Sequence, residues 1–120
     1  PHLSRPVALV TGASRGIGRA IALRLAAAHD LILVARDTDR LQEVASACVA
    51  QGATVEIIAA DVTNGLATAE ALTGLHVDVL VNNAGVAVMK PFLEMSAEEW
   101  HRQVDVNVNA LYHVTRAVLP

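Results

Sequence analysis

Aromatic side chains are scarce in this 120-residue sequence, which contains one Phe, one Trp and one Tyr. A platform on which single-stranded nucleic acid stacks needs several exposed aromatic rings. The formal net charge of −3 also differs from the basic stripe that nucleic-acid-binding proteins carry on their surface. We therefore expect no nucleic-acid partner.

Cysteine is also scarce, and long apolar runs are missing. The single cysteine, Cys48, cannot form an internal disulfide, so nothing in the chain requires an oxidising compartment. Every apolar run is shorter than the ~20 residues that cross a bilayer. The five histidines are scattered without Cys or acidic partners at metal-ligand spacing. These absences predict a soluble, cytoplasmic protein with no membrane partner and no metal site.

Short aliphatic runs alternate with amphipathic helical stretches along the whole chain. Val7–Val10 is a continuous apolar run of the kind found in strands buried on both faces, and the other predicted strands are Leu31–Ala35, Val55–Ala60 and Val77–Val81. Strand–helix alternation of this kind indicates a parallel sheet with helices on both faces. Right-handed crossovers then predict an α/β, Rossmann-type doubly wound sheet, partial in this chain, with the strand order 3-2-1-4.

The helical stretches have apolar positions at the spacing of an amphipathic helix. The inward positions are Ile17, Ile21 and Leu25 in the first helix and Leu41, Val44 and Cys48 in the second, and a weaker third helix covers Leu66–Leu72. The last helix opens with Ser96 and Glu99, which have the spacing of a capping box. It either runs unbroken to Leu119 or breaks near Asn107.

A glycine-rich loop joins the first strand to the first helix. It reads Thr11-Gly12-Ala13-Ser14-Arg15-Gly16-Ile17-Gly18, with the spacing Gly-x-x-x-Gly-x-Gly rather than the commoner Gly-x-Gly-x-x-Gly. Glycines at such spacing can simply form a tight loop. The position directly after a buried strand and before a helix N-terminus instead favours a pyrophosphate cradle, because backbone N–H groups and the helix dipole both point at an anion there.

This turn, together with Asp61 after the third strand and Asn82-Asn83-Ala84-Gly85 after the fourth, resembles the short-chain dehydrogenase/reductase family over essentially the whole chain. In that family the glycine turn wraps the cofactor pyrophosphate, the aspartate contacts the adenine ring, and the Asn-Asn-Ala-Gly segment stabilises the sheet and lines the cofactor cleft. The cofactor-binding residues that the resemblance implies are Thr11, Gly12, Ser14, Arg15, Gly16, Ile17, Gly18, Asp61, Val62, Asn83, Ala84 and Gly85.

The loop after the second strand distinguishes between the two nicotinamide dinucleotides. An NAD enzyme places an acid there to accept a hydrogen bond from the ribose 2′-OH, but this sequence has Arg36. A guanidinium binds a 2′-phosphate in a bidentate manner, and Arg15 supplies a second cation. We therefore predict NADP(H) as the cofactor. Two alternatives remain open: Arg36 is a solvated residue paired with Asp37, or Asp37 reaches a 2′-OH.

The catalytic group of the resembling family is a Tyr, a Lys four residues later and a Ser upstream, and none of them is found in this sequence. The only tyrosine, Tyr112, is followed four residues later by Arg116 and is interpreted as a packing residue. The resemblance assigns one catalytic residue, Asn107, which in the family holds a water on a proton path next to a helix break; Asn109 is the less favoured alternative.

The sequence as a whole predicts an NADP(H)-dependent oxidoreductase that interconverts a small-molecule carbonyl and an alcohol. Residues 1–120 would form its NADP(H)-binding domain, incomplete at the carboxyl end. The resemblance also implies a homo-oligomer, a dimer or tetramer, built through the last helix. The rival hypothesis is a non-catalytic dinucleotide-binding sensor or regulatory subunit that has the fold without the acid–base group.

Overall fold

The computed structural model describes residues 5–87 and 89–119, so the predicted domain limits at residues 1 and 120 lie outside the described residues. Four parallel strands form one sheet, and they are β1 (Val7–Thr11), β2 (Asp30–Ala35), β3 (Val55–Ala59) and β4 (Val79–Val81). Their order across the sheet is β3-β2-β1-β4. The predicted fold class and the 3-2-1-4 order are confirmed.

Helices follow the strands as the alternation predicted. Their bounds are α1 (Gly16–Leu25), α2 (Thr38–Val49), α3 (Gly65–Leu72), α4 (Ala97–Val104) and α5 (Ala110–Val118). A short 3₁₀ turn covers Phe92–Glu94, and a π-helical turn, Asp105–Asn109, joins α4 to α5. The last helix is therefore neither regular throughout nor broken at Asn107. It continues through one widened turn, a feature often found at functional sites.

The sheet has a hydrophobic core on each face because successive side chains of a strand point to opposite sides. In β1, Ala8 and Val10 face the helices α1 and α2, whereas Leu9 faces the side where α3 and α5 pack. All three are fully buried. Cys48 of α2 is also fully buried, and this burial raises the pKa of its thiol. Cys48 is thus a core residue, as its position on the inward face of the predicted helix indicated.

The predicted inner face of α1 is partly wrong. Ile17 was expected to point inward, but it is 73% exposed. The buried positions of α1 are instead Gly18 and Ala22, with Ile21 and Leu25 partly buried against the same core. Small residues on this face let the helix approach the sheet closely. The spacing of the large apolar residues therefore did not predict which face of α1 is buried.

Two further sequence interpretations need correction. Tyr112 does not pack in the core, because it is 57% exposed and lies on the outer face of α5, where its hydroxyl accepts a hydrogen bond of 3.0 Å from Arg116 Nη1. Strand β4 begins at Val79 rather than at residue 77. Within residues 5–87 and 89–119, no helix has the length and hydropathy to cross a bilayer, and no group of three candidate metal ligands occurs.

Candidate cofactor-binding site

A cleft of ≈ 480 Å³ opens at the carboxyl ends of the strands, where parallel doubly wound sheets bind their ligands. Most residues that the sequence assigned to the cofactor line this cleft, and they are Gly12, Ser14, Arg15, Gly16, Ile17, Arg36, Asp61, Val62, Asn83, Ala84 and Gly85. The two other assigned residues do not line it but contact residues that do, Thr11 through hydrogen bonds with Asn83 and Ala84, and Gly18 against Gly12. The loops after all four strands therefore meet at one site.

Backbone conformation, open space and close packing explain why glycine stands at the three positions of the turn. Gly12 (φ +61°) and Gly16 (φ +58°) adopt left-handed backbone conformations that other residues rarely take. Nothing lies within 4 Å of the position that a Gly16 Cβ would occupy, so the space in front of it is open to a ligand. Gly18 has ordinary backbone angles, but a Cβ there would overlap with the carbonyl group of Gly12. The third glycine therefore permits close packing of the helix on the loop.

Helix α1 differs from the neighbouring helices at its N-terminus. The side chains of Asp37, Asn64 and Ser96 accept hydrogen bonds from the first-turn N–H groups of α2, α3 and α4. At α1 the capping position is Arg15, which makes no such bond, and the first turn contains no acid. Uncapped N–H groups beside an open glycine fit a phosphate group, because the helix dipole adds attraction for the anion.

Thr11 fixes the floor of the cleft. Its buried hydroxyl oxygen accepts hydrogen bonds of 3.0 Å from the backbone N–H groups of both Asn83 and Ala84. It also donates a longer bond of 3.5 Å to the Val81 carbonyl. The Asn83 side chain returns to the glycine turn by donating from Nδ2 to the Gly12 carbonyl at 3.2 Å. The loops after β1 and β4 are thereby held together as one wall.

Asp61 remains ionised on the opposite wall. Its Oδ1 accepts hydrogen bonds from the hydroxyl of Thr63 at 2.6 Å and from the Thr63 backbone N–H at 3.0 Å. These bonds hold the pKa of the Asp61 carboxyl below its usual range, and the charges of Arg36 and Arg102 act in the same direction. Oδ2 accepts no hydrogen bond from the described part of the chain, so one oxygen is available as an acceptor for a ligand amino group.

Basic side chains line the cleft where β2 ends. Arg36 lies there, as predicted, with Arg40 in the first turn of the following helix, and Arg102 of α4 lines the same cleft. The neighbouring acid, Asp37, pairs with Arg40 and caps α2, so it is not the partner of Arg36. Positive charge at this end of the cleft fits the 2′-phosphate of an NADP-type dinucleotide better than a bare 2′-OH, which an acid would bind.

Asn107 lies in the π-helical turn and is held by the loop after β4. Its Oδ1 accepts a hydrogen bond of 2.8 Å from the Val86 N–H, and its Nδ2 donates one of 2.8 Å to the Val86 carbonyl. A Cβ at Gly85 would lie 3.2 Å from the same Oδ1, which explains a glycine there. Asn107 therefore positions the residues that border the cleft. Its catalytic role stays a prediction.

The sequence interpretation missed two of the basic residues, Arg40 and Arg102. Both lie in helices, whereas the sequence signals for the site lie in the loops after the strands. Arg40 lies one helical turn after Arg36 and three residues after Asp37, which caps α2. A helix predicted to start at Thr38 would therefore have placed Arg40 near Arg36. Arg102 in α4 had no such signal, because only the tertiary fold brings it to the cleft.

Comparison with known proteins agrees with this geometry. The model of the short chain dehydrogenase family matches residues 6–120. Oxidoreductase UcpA of Salmonella typhimurium is 38% identical over 125 residues, which cover 98% of this chain and 47% of that protein. The NADP-dependent 3-hydroxy acid dehydrogenase YdfG of Escherichia coli is 39% identical, over 95% of this chain and 48% of its own length. The chain thus spans about half the length of these curated relatives.

Solved structures give the same result. A metagenomic short-chain oxidoreductase in complex with NADP superposes with a TM-score of 0.90 at 43% identity, covering 98% of this chain and 57% of that one. An alcohol dehydrogenase from Thermococcus sibiricus, complexed with 5-hydroxy-NADP, has a TM-score of 0.89 at 39% identity, covering 95% of this chain and 52% of the other. With the sequence motifs, the sheet order and the cleft all in agreement, this chain belongs to the short-chain dehydrogenase family.

Proposed function

We propose that this chain forms the cofactor-binding part of an NADP(H)-dependent oxidoreductase that interconverts a small-molecule carbonyl and an alcohol. The observation that carries the proposal is the charge at the end of β2. Arg36 follows β2 and lines the cleft together with Arg15 of the turn after β1, and the neighbouring carboxylate of Asp37 is already bound to Arg40. Guanidinium groups attract a dianionic 2′-phosphate, whereas a free acid at this position would repel it.

The relatives support the same cofactor and reaction class. YdfG is named as NADP-dependent, and two of the similar structures contain NADP or a derivative of it. A further relative, from Mesocricetus auratus, is an L-xylulose reductase that is 40% identical over 92% of this chain. These names describe enzymes that act on carbonyl or alcohol groups, and we extend that reaction class to this chain as a proposal.

The residues of the cleft divide the binding of such a dinucleotide between them. When bound, the cofactor supplies or accepts the hydride at its nicotinamide ring. The N–H groups at the start of α1 would hold the pyrophosphate, and Gly16 leaves room for it. Asp61 would accept from the adenine amino group through its available oxygen, and Arg15 with Arg36 would bind the 2′-phosphate.

The cofactor assignment is tested by titrating the intact protein with NADPH and with NADH. We expect tighter binding of NADPH, and we expect Arg36→Ala to weaken it by about tenfold or more while NADH binding changes little, since charged hydrogen bonds contribute about 1.5–3 kcal/mol. Arg24→Ala in α1 is the matched control because Arg24 does not line the cleft. Equal affinity of the unchanged protein for both cofactors would contradict the assignment.

The reaction class needs a separate assay. NADPH oxidation by the complete enzyme of which this chain would be the cofactor-binding part is followed at 340 nm with a panel of ketones and aldehydes, and the reverse reaction with alcohols and NADP. Turnover of any member supports the oxidoreductase. Tight NADPH binding without turnover across the panel would instead favour the sensor or regulatory subunit.

A further inference from the structure

Thr63 lies between β3 and α3 and lines the cleft together with Asp61. Its hydroxyl group donates to Asp61 Oδ1 at 2.6 Å, and its backbone N–H donates to the same oxygen at 3.0 Å. The shorter distance is typical of an O–H donor on an ionised carboxylate, which is among the stronger hydrogen bonds in proteins. Two donors on one oxygen hold the carboxylate in a single orientation.

These bonds determine which oxygen of Asp61 a ligand can use. Oδ2 accepts no hydrogen bond from the described part of the chain, so it is the oxygen left for a ligand. The two bonds from Thr63 lower the pKa of the Asp61 carboxyl most, and the charges of Arg36 and Arg102 lower it further against the opposing effect of partial burial. An ionised carboxylate only accepts hydrogen bonds. Oδ2 is therefore an acceptor at neutral pH, with a direction that Thr63 sets.

An acceptor of this kind distinguishes purine bases by the group at their 6-position. A 6-amino group, as in adenine, can donate a hydrogen bond to Oδ2, whereas a purine without it leaves that oxygen unpaired. The buried side chains of Val62 and Val106 line the same cleft and supply apolar surface for the face of a ring. Sites that hydrogen-bond a polar group of a ligand discriminate against analogues that lack it, because their own polar atoms then lose a partner.

We propose that Thr63 is a positioning residue: it orients Asp61 so that the cleft selects a 6-amino purine over a purine that lacks the amino group. The inference rests on the proposed NADP(H) function and deepens it by assigning the base preference to a residue that acts through its neighbour. The alternative role of Thr63 is structural, as part of the turn that leads into α3. The same two hydrogen bonds would then stabilise the turn without affecting the choice of base.

Two nucleotides isolate the 6-amino group from the rest of the cofactor. 5′-AMP carries it, and purine riboside 5′-monophosphate has a hydrogen atom in its place. Their dissociation constants for the complete protein are measured by calorimetry, and the ratio of the two values gives the base preference. We expect the unchanged protein to prefer 5′-AMP by about tenfold, the effect of one hydrogen bond to a charged group. Thr63→Val keeps the shape of the side chain, and we expect it to reduce the preference to about two- to threefold.

Matched variants separate the hydroxyl group from general effects of substitution. Thr63→Ser keeps the donor and should retain the preference for 5′-AMP. Thr73→Val makes the same change at an exposed position that does not line the cleft, and it should leave both dissociation constants within about twofold. Thr63→Ala also removes the hydroxyl group and serves as the second variant if Thr63→Val folds poorly.

A titration of Asp61 itself tests whether the hydroxyl group holds the carboxylate. The ¹³Cγ resonance of its side chain, followed by NMR between about pH 6 and 2 without a ligand, reports the pKa of the carboxyl. We expect that pKa to rise in Thr63→Val and to stay low in Thr63→Ser, because the hydroxyl bond is the largest cause of its lowering. An unchanged pKa in Thr63→Val would overturn the inference.

The outcomes keep this inference apart from the proposed function. If the unchanged protein does not bind NADPH, the proposed function fails and the inference fails with it. If NADPH binds but the preference for 5′-AMP is absent, or is fully retained in Thr63→Val, the proposed function stands and only the role of Thr63 is refuted. A lower stability of Thr63→Val with an unchanged base preference would assign the hydroxyl group to the turn alone.

Discussion

Replacing Thr11 by Val tests whether one hydroxyl group holds the floor of the cleft together. The Thr11 side chain is 1% exposed, and Val has nearly the same shape without the oxygen. The substitution removes the acceptor for the N–H groups of Asn83 and Ala84, which both lie at 3.0 Å.

The expected loss of stability follows from these two orphaned donors. A buried donor left without a partner costs about 1–3 kcal/mol. Because Asn83 and Ala84 are only partly buried, the lower part of that range applies, and we expect Thr11→Val to lower the free energy of unfolding by about 2–3 kcal/mol. Thr11→Ser keeps the hydroxyl and loses one buried methyl group, which amounts to about 0.8 kcal/mol.

Thr68 in α3 provides the matched control. It is also fully buried, but its hydroxyl makes a single bond of 3.5 Å, to the Asp61 carbonyl. Thr68→Val should therefore lower the free energy of unfolding by less than about 1 kcal/mol. Urea titrations followed by circular dichroism measure all three variants. Equal losses for Thr11→Val and Thr68→Val would refute the reasoning, because the number of hydrogen bonds would then not determine the effect.

Two other contacts give predictions at sites away from the cleft. A Cβ at Gly65 would lie 2.8 Å from the His113 ring, so Gly65→Ala should lower the free energy of unfolding by about 1–2 kcal/mol but be neutral or stabilising in a His113→Ala background. Calorimetric melting of the double-mutant cycle checks this, and equal effects in both backgrounds would disprove the steric clash. Hydrogen bonds from Lys90 and Ser96 lower the pKa of Glu99 from its ordinary value of 4.5 to about 2. This contribution to stability is complete above about pH 4.5 and is lost as the pH falls toward 2. Between pH 5 and 2 the Tm should therefore fall more in the unchanged protein than in Glu99→Gln. Parallel curves of Tm against pH would contradict the lowered pKa of Glu99.

The fold was predictable because its signals are strong and local. Apolar strands that alternate with helices leave few topologies once crossovers are right-handed, and the order β3-β2-β1-β4 is that of the first half of one common doubly wound sheet. The site was predictable to the same extent. Ligands bind at the carboxyl ends of parallel strands, so the glycine turn, Asp61 and the loop beginning at Asn82 had to converge at one edge of the sheet.

The rotation of each helix was not predictable from the same signals. Ile17 is exposed because the small residues Gly18 and Ala22, and not the large apolar ones, form the contact of α1 with the sheet. Tyr112 is exposed for a related reason, since the buried positions of α5 are Ala110, Val114 and Ala117. Each small residue buries little apolar area, but it allows the helix to approach the sheet closely. A count of large apolar residues therefore underestimates the contribution of small residues to the buried face.

The role of Asp37 shows a different limit. From the sequence, this acid had two open possibilities, a partner for Arg36 or an acceptor for a 2′-OH, and the structure gives it neither, since it caps α2. The cap forms because the carboxylate can satisfy the Arg40 N–H and its guanidinium at once. The partner that a side chain binds depends on the local backbone geometry. For Asp37 that geometry is set by the start of α2 at Thr38, which the sequence alone does not fix.

The uncapped start of α1 links the stability of the chain to its ligand. Capping side chains contribute about 0.5–2 kcal/mol each, and α2, α3 and α4 all have one, whereas α1 has Arg15 and an open glycine turn. A phosphate in the cleft would supply the missing acceptor for these N–H groups. Because such a ligand binds the folded state alone, it raises the unfolding free energy in proportion to the logarithm of its concentration above Kd. The features that make this turn a poor helix start without a ligand are therefore the same ones that make it a binding site.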